Sequence, residues 1–520
     1  MNKTVLCIVD GMGYSPNDNG NAVRAADMVN FRTALESNPW AFLKASGPEV
    51  GLVDEKDAGN SEVGHNAIGS GQHIKQGLAL LNDKFTTTDP RYDIWTSDAW
   101  KELSANAAAT GRPLHVITLL SNGRVHSDLT HLFALIRKCG KEGMRLAIHA
   151  LLDGRDVEPQ SALKFINLTR AEADRVNSGA RIATVAGRGV LFMDRYLTNT
   201  KLVADGIDVC ALGKAPRVNL IDVAINDEYK KRPDMTDETM PAFRLEDDEW
   251  LIKNGDSVLL LNYRGDRAVE TCAAFERGKY LTAEQYAAID KCKFAGILQY
   301  DAELGIPKRF LCSPPKIDNV LTEWLCKHKV RQFTVTETVK FGHLTYFFNG
   351  NRATPINDKL ETWKEIPSGM IDYAATPEMQ AAGITDAAIA AIRDKSVSFI
   401  KLNLANPDMV GHTGSLAAAT KACRTVDECL GRLIDACKTA GVNLIITADH
   451  GNAEAMLDEN GKPRTSHTNN PVPLIIMPFG TKKPVKVKPG EWGLTNLAAT
   501  ICLLLGIPAS PHFNPPIITL

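Results

Sequence analysis

Four short segments of the 520-residue chain carry carboxylates and imidazoles of the kind that bind divalent metal ions. The residues concerned are Asp10, Asp408, His412, Asp449, His450 and His467. Three carboxylates and three imidazoles suit Mn²⁺ or Mg²⁺, and they also allow Zn²⁺. No cysteine lies beside these segments, which argues against a structural zinc site. The side chains of adjacent residues such as Asp449 and His450 point in different directions, so they could hardly bind a single ion in the same way. Two neighbouring ions could be bound by both.

Each of these residues also has a simpler interpretation. An aspartate at the end of a strand is more often a helix cap or a turn residue. An isolated histidine such as His467 is usually a solvated surface residue. Pro407 and Gly411 favour a tight turn between Asp408 and His412 over a shared helical face.

Ser61 lies in a polar stretch, residues 57–66, that is followed by several glycines. The simpler interpretation is a surface turn with a helix N-cap at Asn60 or Ser61. The chemical interpretation makes Ser61 a nucleophile, because a metal ion bound to a hydroxyl stabilises its alkoxide. Two ions about 3.5–4 Å apart could also clamp the attacking and leaving oxygens of a phosphoryl transfer. No G-x-S-x-G or Walker-A pattern competes with this interpretation.

The middle of the chain places arginine and histidine beside glycine, carboxylate or hydroxyl side chains. The residues concerned are His126, Arg155, Asp156, Arg188, Arg195, Arg264 and Arg267. A guanidinium binds carboxylate or phosphate through two parallel hydrogen bonds, so several arginines in one pocket suit a small, multiply anionic substrate. The alternative is a set of Arg–Asp salt bridges that stabilise loops.

Short, mainly apolar runs end at these polar clusters, which predicts strands buried on both faces of parallel sheets. The runs are residues 4–9, 115–120, 146–152, 258–261, 397–404 and 443–447. Helical periods lie between them, at residues 161–176 and at residues 422–437 with Gly441 as the C-cap. Alternating strands and helices predict an α/β chain, in which ligands bind outside the carboxyl ends of the strands.

The candidate metal ligands come from the two extremities of the chain, so the segment between them is expected to form an inserted domain. Residues 76–83, which include Gly77, and residues 305–316, which include Gly305 and three prolines, are the best candidates for the connections.

Composition excludes several classes of protein. Lys and Arg total 59 and Asp and Glu total 61, and this balance gives no basis for binding nucleic acid or an anionic membrane. No apolar run approaches roughly 18 residues, and the first residues indicate a buried strand rather than a signal peptide. Eleven irregularly spaced cysteines without a C-x-x-C pair predict a reducing, cytoplasmic location. No symmetric apolar surface is evident, which favours a monomer.

In combination, these motifs make the chain similar to the cofactor-independent phosphoglycerate mutases of the alkaline-phosphatase superfamily. The matching stretches, in family order, are residues 9–13, 59–65, 152–156, 263–267, 347–350, 406–414 and 447–454. Related metal-dependent phosphatases share the metal ligands but lack the arginine segment, so the combination is specific.

The resemblance implies an α/β fold with two domains. An alkaline-phosphatase-like metal domain with a largely parallel sheet would comprise residues 1–77 and 313–520, and a smaller inserted substrate-binding domain residues 78–312. Two divalent ions would bind, with Mn²⁺ favoured and Mg²⁺, Co²⁺ or Zn²⁺ allowed. The implied ligands are Asp408, His412 and His467 for one ion, and Asp10, Ser61, Asp449 and His450 for the other.

The resemblance also implies a reaction, the interconversion of 3-phosphoglycerate and 2-phosphoglycerate without bisphosphoglycerate, in glycolysis and gluconeogenesis. Ser61 would carry the phosphoryl group as phosphoserine, Lys340 would neutralise the transferring phosphate, and Asp156 would deprotonate the 2-hydroxyl. The implied substrate-binding residues are His126, Arg155, Asp156, Arg188, Arg195, Arg264 and Arg267.

One loop departs from the family pattern, because Asn122-Gly123-Arg124 stands where Asp-Gly-Gly is common and adds a charge. Two rival functions remain. Another metal-dependent phosphatase or a phosphopentomutase would keep Asp10, Asp449 and His450 but not this set of arginines. A catalytically silent anion-binding protein is expected to have lost Ser61 or a metal ligand, and this chain has lost none.

Overall fold

A computed structural model of the chain describes residues 2–87, 93–194, 199–300, 305–312, 317–368, 372–458 and 461–520. The chain divides into two compact units: unit 1 consists of Met1–Ala79 and Pro315–Leu520, and unit 2 of Leu80–Pro314. The predicted α/β class is confirmed, since each unit contains a largely parallel sheet together with helices. In the described part of the chain, no helix combines the length and the apolar character that crossing a membrane requires.

Strands and helices alternate along most of the chain. In chain order the strands are β1 (Thr4–Val9), β2 (Trp40–Lys44), β3 (Leu114–Leu120), β4 (Leu146–Leu152), β5 (Ala180–Gly187), β6 (Phe243–Arg244), β7 (Ser257–Leu260), β8 (Lys293–Leu298), β9 (Phe310–Cys312), β10 (Gln332–Glu337), β11 (Glu361–Ile366), β12 (Phe399–Leu404), β13 (Asn443–Thr447), β14 (Val472–Met477), β15 (Lys486–Val487), β16 (Trp492–Gly493) and β17 (Ile518–Thr519). The helices are α1 (Ala22–Ala25), α2 (Val29–Ser37), α3 (Ser61–Ser70), α4 (Gly77–Thr86), α5 (Asp98–Thr110), α6 (Leu129–Glu142), α7 (Ala162–Arg175), α8 (Lys201–Cys210), α9 (Ile221–Lys231), α10 (Val269–Arg277), α11 (Ala283–Ala287), α12 (Leu321–Lys327), α13 (Thr338–Gly342), α14 (Ala381–Arg393), α15 (Asn406–Gly411), α16 (Leu416–Ala440) and α17 (Leu497–Leu505).

The sheet of unit 1 has the strand order β11-β10-β12-β1-β13-β14-β2-β16. From β11 to β13 all neighbours are parallel, whereas β14 pairs antiparallel with both β13 and β2. Strands β1, β12 and β13 are buried along their whole length, as expected for strands covered on both faces. Their apolar side chains belong to one core cluster that also includes residues of α14, α16 and α17.

The sheet of unit 2 has the strand order β6-β5-β4-β3-β7-β8-β9. Its neighbours are parallel except for β6, which pairs antiparallel with β5. The carboxyl ends of β5, β4, β3 and β7 therefore lie along the same edge, where the sequence predicted ligand binding.

Two predicted helices are confirmed, and two further segments are helical where the sequence predicted a turn or a connection. Helix α7 covers most of residues 161–176, and α16 ends at Gly441, whose φ of +62° is the left-handed C-cap conformation. The predicted tight turn between Asp408 and His412 is instead helix α15, because Pro407 occupies its first turn, where no backbone N–H is needed. Residues 77–83 of the first proposed connection belong to helix α4 rather than to a loop. Residues 313–316 of the second connection lie outside the described residues.

A buried chain of hydrogen bonds crosses the sheet of unit 2. His115 Nδ1 lies 3.1 Å from His149 Nε2, His115 Nε2 lies 3.1 Å from Asp256 Oδ2, and His149 Nδ1 lies 3.0 Å from Thr184 Oγ1. One direction of donation satisfies all three contacts with neutral rings: Thr184 donates to His149, His149 to His115, and His115 to Asp256. Burial lowers the pKa of His115 and lowers the pKa of His149 well below its usual value, in agreement with neutral rings.

The free energy of unfolding should therefore fall as the pH drops from about 7.5 to about 5. In the unfolded chain the imidazoles of His115 and His149 titrate near 6.5, while the folded chain resists their protonation, so the unfolded state binds more protons below that pH. His149→Asn removes one titrating ring and should be less stable than the wild type at neutral pH. The difference in free energy of unfolding between wild type and variant should be smaller at pH 5 than at neutral pH, as measured by urea denaturation at both pH values. If this difference stayed constant or became larger at pH 5, the two buried imidazoles would not be neutral as inferred.

Candidate metal centre and active site

Four neighbouring parallel strands of unit 1 end at one edge of the sheet, and each is followed by candidate residues. Asp10 follows β1 directly, Asp408 follows β12 within α15, and Asp449 and His450 follow β13. Lys340 follows β10 within α13. Because the carboxyl ends of parallel strands meet at the same edge, residues from both ends of the sequence become neighbours.

Ser61 is the first residue of α3, and Asn60 is the N-cap of that helix, as the simpler interpretation predicted. Asn60 Oδ1 accepts a hydrogen bond from the backbone N–H of Val63 at 3.0 Å, which anchors the first turn. The Ser61 hydroxyl is buried and lies 2.5 Å from Lys340 Nζ and 3.0 Å from His450 Nε2. Asn60 thus performs the capping, and the Ser61 side chain contacts the polar centre.

Three groups of side chains in the described residues have donor atoms within 4.8 Å of one another, close enough to share an ion. The groups are Asp408 with His412 and His467, Asp10 with Asp408 and His450, and Asp10 with His65 and Asp449. The first group has the same members as one implied ligand set. Asp449 and His450 fall into different groups, and His65 was not among the predicted residues.

The centre contains more buried negative charge than positive charge. Lys340 Nζ lies 2.8 Å from Asp10 Oδ1 and 2.7 Å from Asp408 Oδ2, and Asp449 is a third buried carboxylate. Burial alone would lower the pKa of Lys340, but Asp10 and Asp408 raise it above its usual value. Burial would raise the pKa of Asp408, yet Lys340 and His412 hold it well below its usual range. Three carboxylates thus face one ammonium, and divalent cations would balance the excess.

One oxygen of Asp449 also supports metal binding. Asp449 Oδ2 is buried and has no hydrogen-bond partner among the described residues, although His65 Nδ1 and His450 Nε2 each lie 3.4 Å away. A buried carboxylate oxygen without a partner is costly, and a bound cation would satisfy it. The residues present therefore fit a divalent metal ion, and carboxylates with imidazoles are suitable donors for one.

His412 and His467 are oriented by backbone carbonyls. His412 Nδ1 donates to Thr465 O at 2.7 Å and His467 Nδ1 donates to Gly59 O at 2.9 Å. These bonds direct both Nε2 atoms toward Asp408 Oδ1, at 3.3 Å each. Burial lowers the pKa of His467 to about 4, which keeps it neutral as a ligand must be. The simpler interpretation of His467 as a solvated surface residue does not hold, because its side chain is only 19% exposed.

The sequence interpretation did not identify two residues that orient the centre. His65 lies one helical turn after Ser61, and its Nδ1 donates to Ser61 O at 2.8 Å. Asn403 Nδ2 donates to Asp10 Oδ2 at 2.7 Å and to His65 Nε2 at 3.1 Å. The four-residue spacing of Ser61 and His65, and the polar Asn403 inside an apolar strand, were the available signals.

In unit 2, Arg188 follows β5 and is buried against two carboxylates of the loop after β4. Its Nη1 donates to Asp153 Oδ1 at 2.6 Å and to Asp156 Oδ2 at 2.5 Å. Burial would lower the pKa of Arg188, but Asp156 and Asp153 raise it above its usual value. Ser121, after β3, donates to Asp153 Oδ2 at 2.5 Å. The structure therefore brings Asp156 and Arg188 into direct contact. Asp153 and Ser121 belong to the same cluster and were not among the predicted site residues.

Among the remaining predicted substrate residues that the structure describes, His126 and Arg155 lie in loops of unit 2, and Arg264 and Arg267 lie at the start and the end of a 3-10 turn. Their contacts are Arg155 Nη1 with Glu238 Oε1 (3.4 Å), Arg267 Nη1 with Met193 O (2.7 Å) and His126 O with Tyr263 N (2.9 Å). Arg264 is exposed, and Arg195 lies outside the described residues.

The loop that departs from the family pattern packs closely against Asp156. A Cβ atom at Gly123 would lie 2.6 Å from the carbonyl oxygen of Asp156, so only glycine permits this approach. Arg124 has a φ of +58°, in the left-handed region where glycine is favoured, and its Nε donates to Asp128 Oδ2 at 3.0 Å. The added charge of this loop is therefore paired with the N-cap residue of α6.

Comparison with known proteins identifies relatives over the whole chain. The metalloenzyme superfamily matches residues 2–509. A probable 2,3-bisphosphoglycerate-independent phosphoglycerate mutase of Leptospira interrogans is 36% identical over 537 residues, which cover 99% of this chain and 97% of the relative. The 2,3-bisphosphoglycerate-independent phosphoglycerate mutase of Trypanosoma brucei brucei is 36% identical over 540 residues, with the same coverage. The crystal structure of Leishmania mexicana phosphoglycerate mutase at low cobalt concentration has a TM-score of 0.69 and 36% identity, covering 100% of this chain and 98% of that one.

Proposed function

The chain belongs to the 2,3-bisphosphoglycerate-independent phosphoglycerate mutases of the metalloenzyme superfamily, and from this premise we propose that it interconverts 3-phosphoglycerate and 2-phosphoglycerate through a phosphoserine on Ser61. The observation that carries the proposal is the surroundings of the Ser61 hydroxyl. It is buried and lies 2.5 Å from Lys340 Nζ, 3.0 Å from His450 Nε2 and 3.3 Å from Asp10 Oδ1. A serine held among an ammonium, an imidazole and a carboxylate suits nucleophilic catalysis.

We assign two divalent metal ions to unit 1, with Mn²⁺ favoured over Mg²⁺, Co²⁺ or Zn²⁺. The proposed ligands are Asp408, His412 and His467 for one ion, and Asp10, Ser61, Asp449 and His450 for the other. When bound, such ions supply Lewis-acid stabilisation of the negative charge on serine and phosphoryl oxygens. The unpartnered Asp449 Oδ2 and the excess of buried carboxylates support this assignment.

The phosphoryl group is transferred in two displacements at phosphorus. Ser61 Oγ attacks the phosphorus of 3-phosphoglycerate, the bond between phosphorus and the 3-oxygen of glycerate breaks, and the proton lost by the serine hydroxyl ends on that 3-oxygen. Lys340, kept protonated by Asp10 and Asp408, stabilises the negative charge of the transferring group. Glycerate then reorients, Asp156 takes the proton of its 2-hydroxyl, and the 2-oxygen attacks the phosphorus. The Ser61–phosphorus bond breaks, and a proton returns to Ser61 Oγ, so the enzyme is regenerated. Arg188, 2.5 Å from Asp156 Oδ2, orients that base.

We propose that unit 2 supplies the groups that bind the anionic substrate, in keeping with a substrate-binding role for residues 78–312. The proposed residues are His126, Arg155, Asp156, Arg188, Arg195, Arg264 and Arg267. We further propose that the chain acts as a monomer in the cytoplasm, in glycolysis and gluconeogenesis. All eleven cysteines are free thiols, which supports a reducing compartment.

The test is conversion of 3-phosphoglycerate to 2-phosphoglycerate with no 2,3-bisphosphoglycerate added, with free phosphate followed in the same reaction. We expect isomerisation with Mn²⁺, none with a chelator, and recovery when Mn²⁺ is returned. Free phosphate should stay at background, because a mutase must exclude water from the phosphoserine. Release of phosphate without isomerisation would favour a phosphatase instead. Binding of the substrate with neither reaction would favour the silent anion-binding protein.

A further inference from the structure

The carboxylate of Glu454 connects three segments of unit 1 that carry candidate metal ligands. Glu454 is only 1% exposed. Its Oε2 accepts hydrogen bonds from the backbone N–H of Gly13 at 3.0 Å and of Asn452 at 2.8 Å. Its Oε1 accepts from the Thr468 hydroxyl and from Asn470 Nδ2, the latter at 2.9 Å. Four hydrogen bonds accepted by two oxygens are the pattern of an ionised carboxylate.

The donors to Glu454 stand close in sequence to the candidate ligands. The pairs are Gly13 with Asp10, Asn452 with His450, and Thr468 with His467. The backbone N–H of Thr468 also donates to Gly451 O at 3.0 Å, which ties two of these segments directly. Asn452 Nδ2 donates to Asp408 Oδ1 at 2.9 Å and so extends the connection to a fourth segment.

Two glycines provide the space that this carboxylate occupies. A Cβ atom at Gly13 would lie 2.5 Å from Glu454 Cδ, and one at Gly451 would lie 2.4 Å from Glu454 Oε1. Neither glycine has the positive φ that favours glycine for conformational reasons. The carboxylate therefore accounts for glycine at position 13. At position 451 it does so together with the Thr468 hydroxyl, whose Oγ1 would lie 2.2 Å from such a Cβ.

The charge of Glu454 is not balanced locally. Within the described ranges, no lysine, arginine or histidine forms an ion pair with this side chain, and its partners are neutral donors. A buried anion held only by neutral dipoles raises the negative potential around it, which favours a cation bound nearby.

We propose that Glu454 is a positioning residue of the metal centre: it holds the segments of Asp10, His450 and His467 in register and strengthens cation binding. This inference rests on the proposed function in taking the centre to be a metal site. Partners of this kind behind metal ligands typically affect metal affinity by about 10–100-fold.

The test is a titration of the metal-free chain with Mn²⁺, in which free Mn²⁺ is measured by electron paramagnetic resonance. Glu454→Gln keeps the size of the side chain but removes its charge and places an amide donor against other donors. We expect its dissociation constant for Mn²⁺ to rise by about 10–100-fold. At saturating Mn²⁺ most of kcat should return, with KM for 3-phosphoglycerate unchanged.

Glu361→Gln is the matched control, because Glu361 is another buried, hydrogen-bonded glutamate of unit 1. It accepts from Asn349 Nδ2 at 2.8 Å and from the backbone N–H of Asn357 at 2.9 Å, neither of which adjoins a candidate ligand. Glu361→Gln should bind Mn²⁺ as the wild type does. Thr468→Val removes a single donor to Glu454 and should weaken Mn²⁺ binding in the same direction, even if Glu454→Gln does not fold.

The outcomes separate this inference from the proposed function. If the wild type binds Mn²⁺ and Glu454→Gln and Thr468→Val bind it equally well, the role of Glu454 is overturned while the metal centre stands. If Glu361→Gln weakens binding as much as Glu454→Gln does, the effect is general destabilisation and the inference is wrong. If the wild type itself binds no Mn²⁺, the metal centre of the proposed function is overturned together with this inference.

Discussion

Replacing Ser61 by alanine is expected to lower kcat for the conversion of 3-phosphoglycerate by at least about 10⁴-fold. The substitution removes only the hydroxyl, and its neighbours cannot replace it: Lys340 is held protonated, and Asp10 and His450 are assigned to the metal. Incubation of the wild type with substrate labelled in the phosphoryl group should label the chain at Ser61. The Ser61→Ala variant should carry no label.

Ser70→Ala is the matched control for this experiment. Ser70 is the last residue of the same helix α3, it is 1% exposed, and its hydroxyl donates to Gln72 O at 3.1 Å. The variant should keep both its activity and the label. Retention of substantial activity by Ser61→Ala, or a label on another residue, would contradict the phosphoserine mechanism.

Replacing Lys340 by methionine is expected to slow catalysis and to make the stability of the chain depend on metal. The ammonium lies 2.7 Å from Asp408 Oδ2 and 2.8 Å from Asp10 Oδ1, and its loss leaves both buried carboxylates without their shared lysine partner. Breaking such a buried pair costs about 3–5 kcal/mol, so the metal-free variant should unfold at a much lower urea concentration. Without the ammonium, the negative charge of the transferring phosphoryl group is less stabilised, and kcat should fall by about 10²–10³-fold.

Added Mn²⁺ should stabilise Lys340→Met more than it stabilises the wild type, because the ion replaces the missing positive charge. Urea denaturation with chelator and with Mn²⁺ measures this difference. Lys401→Met is the control: Lys401 is also fully buried in unit 1, but its Nζ lies 3.8 Å from the ring centroid of Phe348 and burial lowers its pKa to about 7. Its stability change should be the same with and without Mn²⁺. An equal response of both variants to Mn²⁺ would refute the role assigned to Lys340.

Local patterns in the sequence were sufficient to predict the strands and helix ends next to the candidate site residues. The apolar run before Asp10 is strand β1 and the run before Asp449 is strand β13, because strands buried on both faces need continuous apolar side chains. Asn60 caps α3, and Gly441 caps α16, because capping depends on the residue and its nearest neighbours. Residue type also indicated a divalent-metal site, since carboxylate oxygens and imidazole nitrogens are donors that such ions bind well.

The partners of these side chains were decided only by the tertiary structure. The four donors to Glu454 come from three separate segments, and Asn403 reaches Asp10 because β12 lies beside β1. Arg188 meets Asp153 and Asp156 in the same way, since β5 lies beside β4. Hydrophobic periodicity and helix capping depend on residues that are neighbours in sequence. A buried hydrogen bond between side chains of different strands depends instead on which strands pair and in which register. The sequence by itself thus determined the elements and the chemical type of the site, and the packing of the sheet determined which groups hold one another in place.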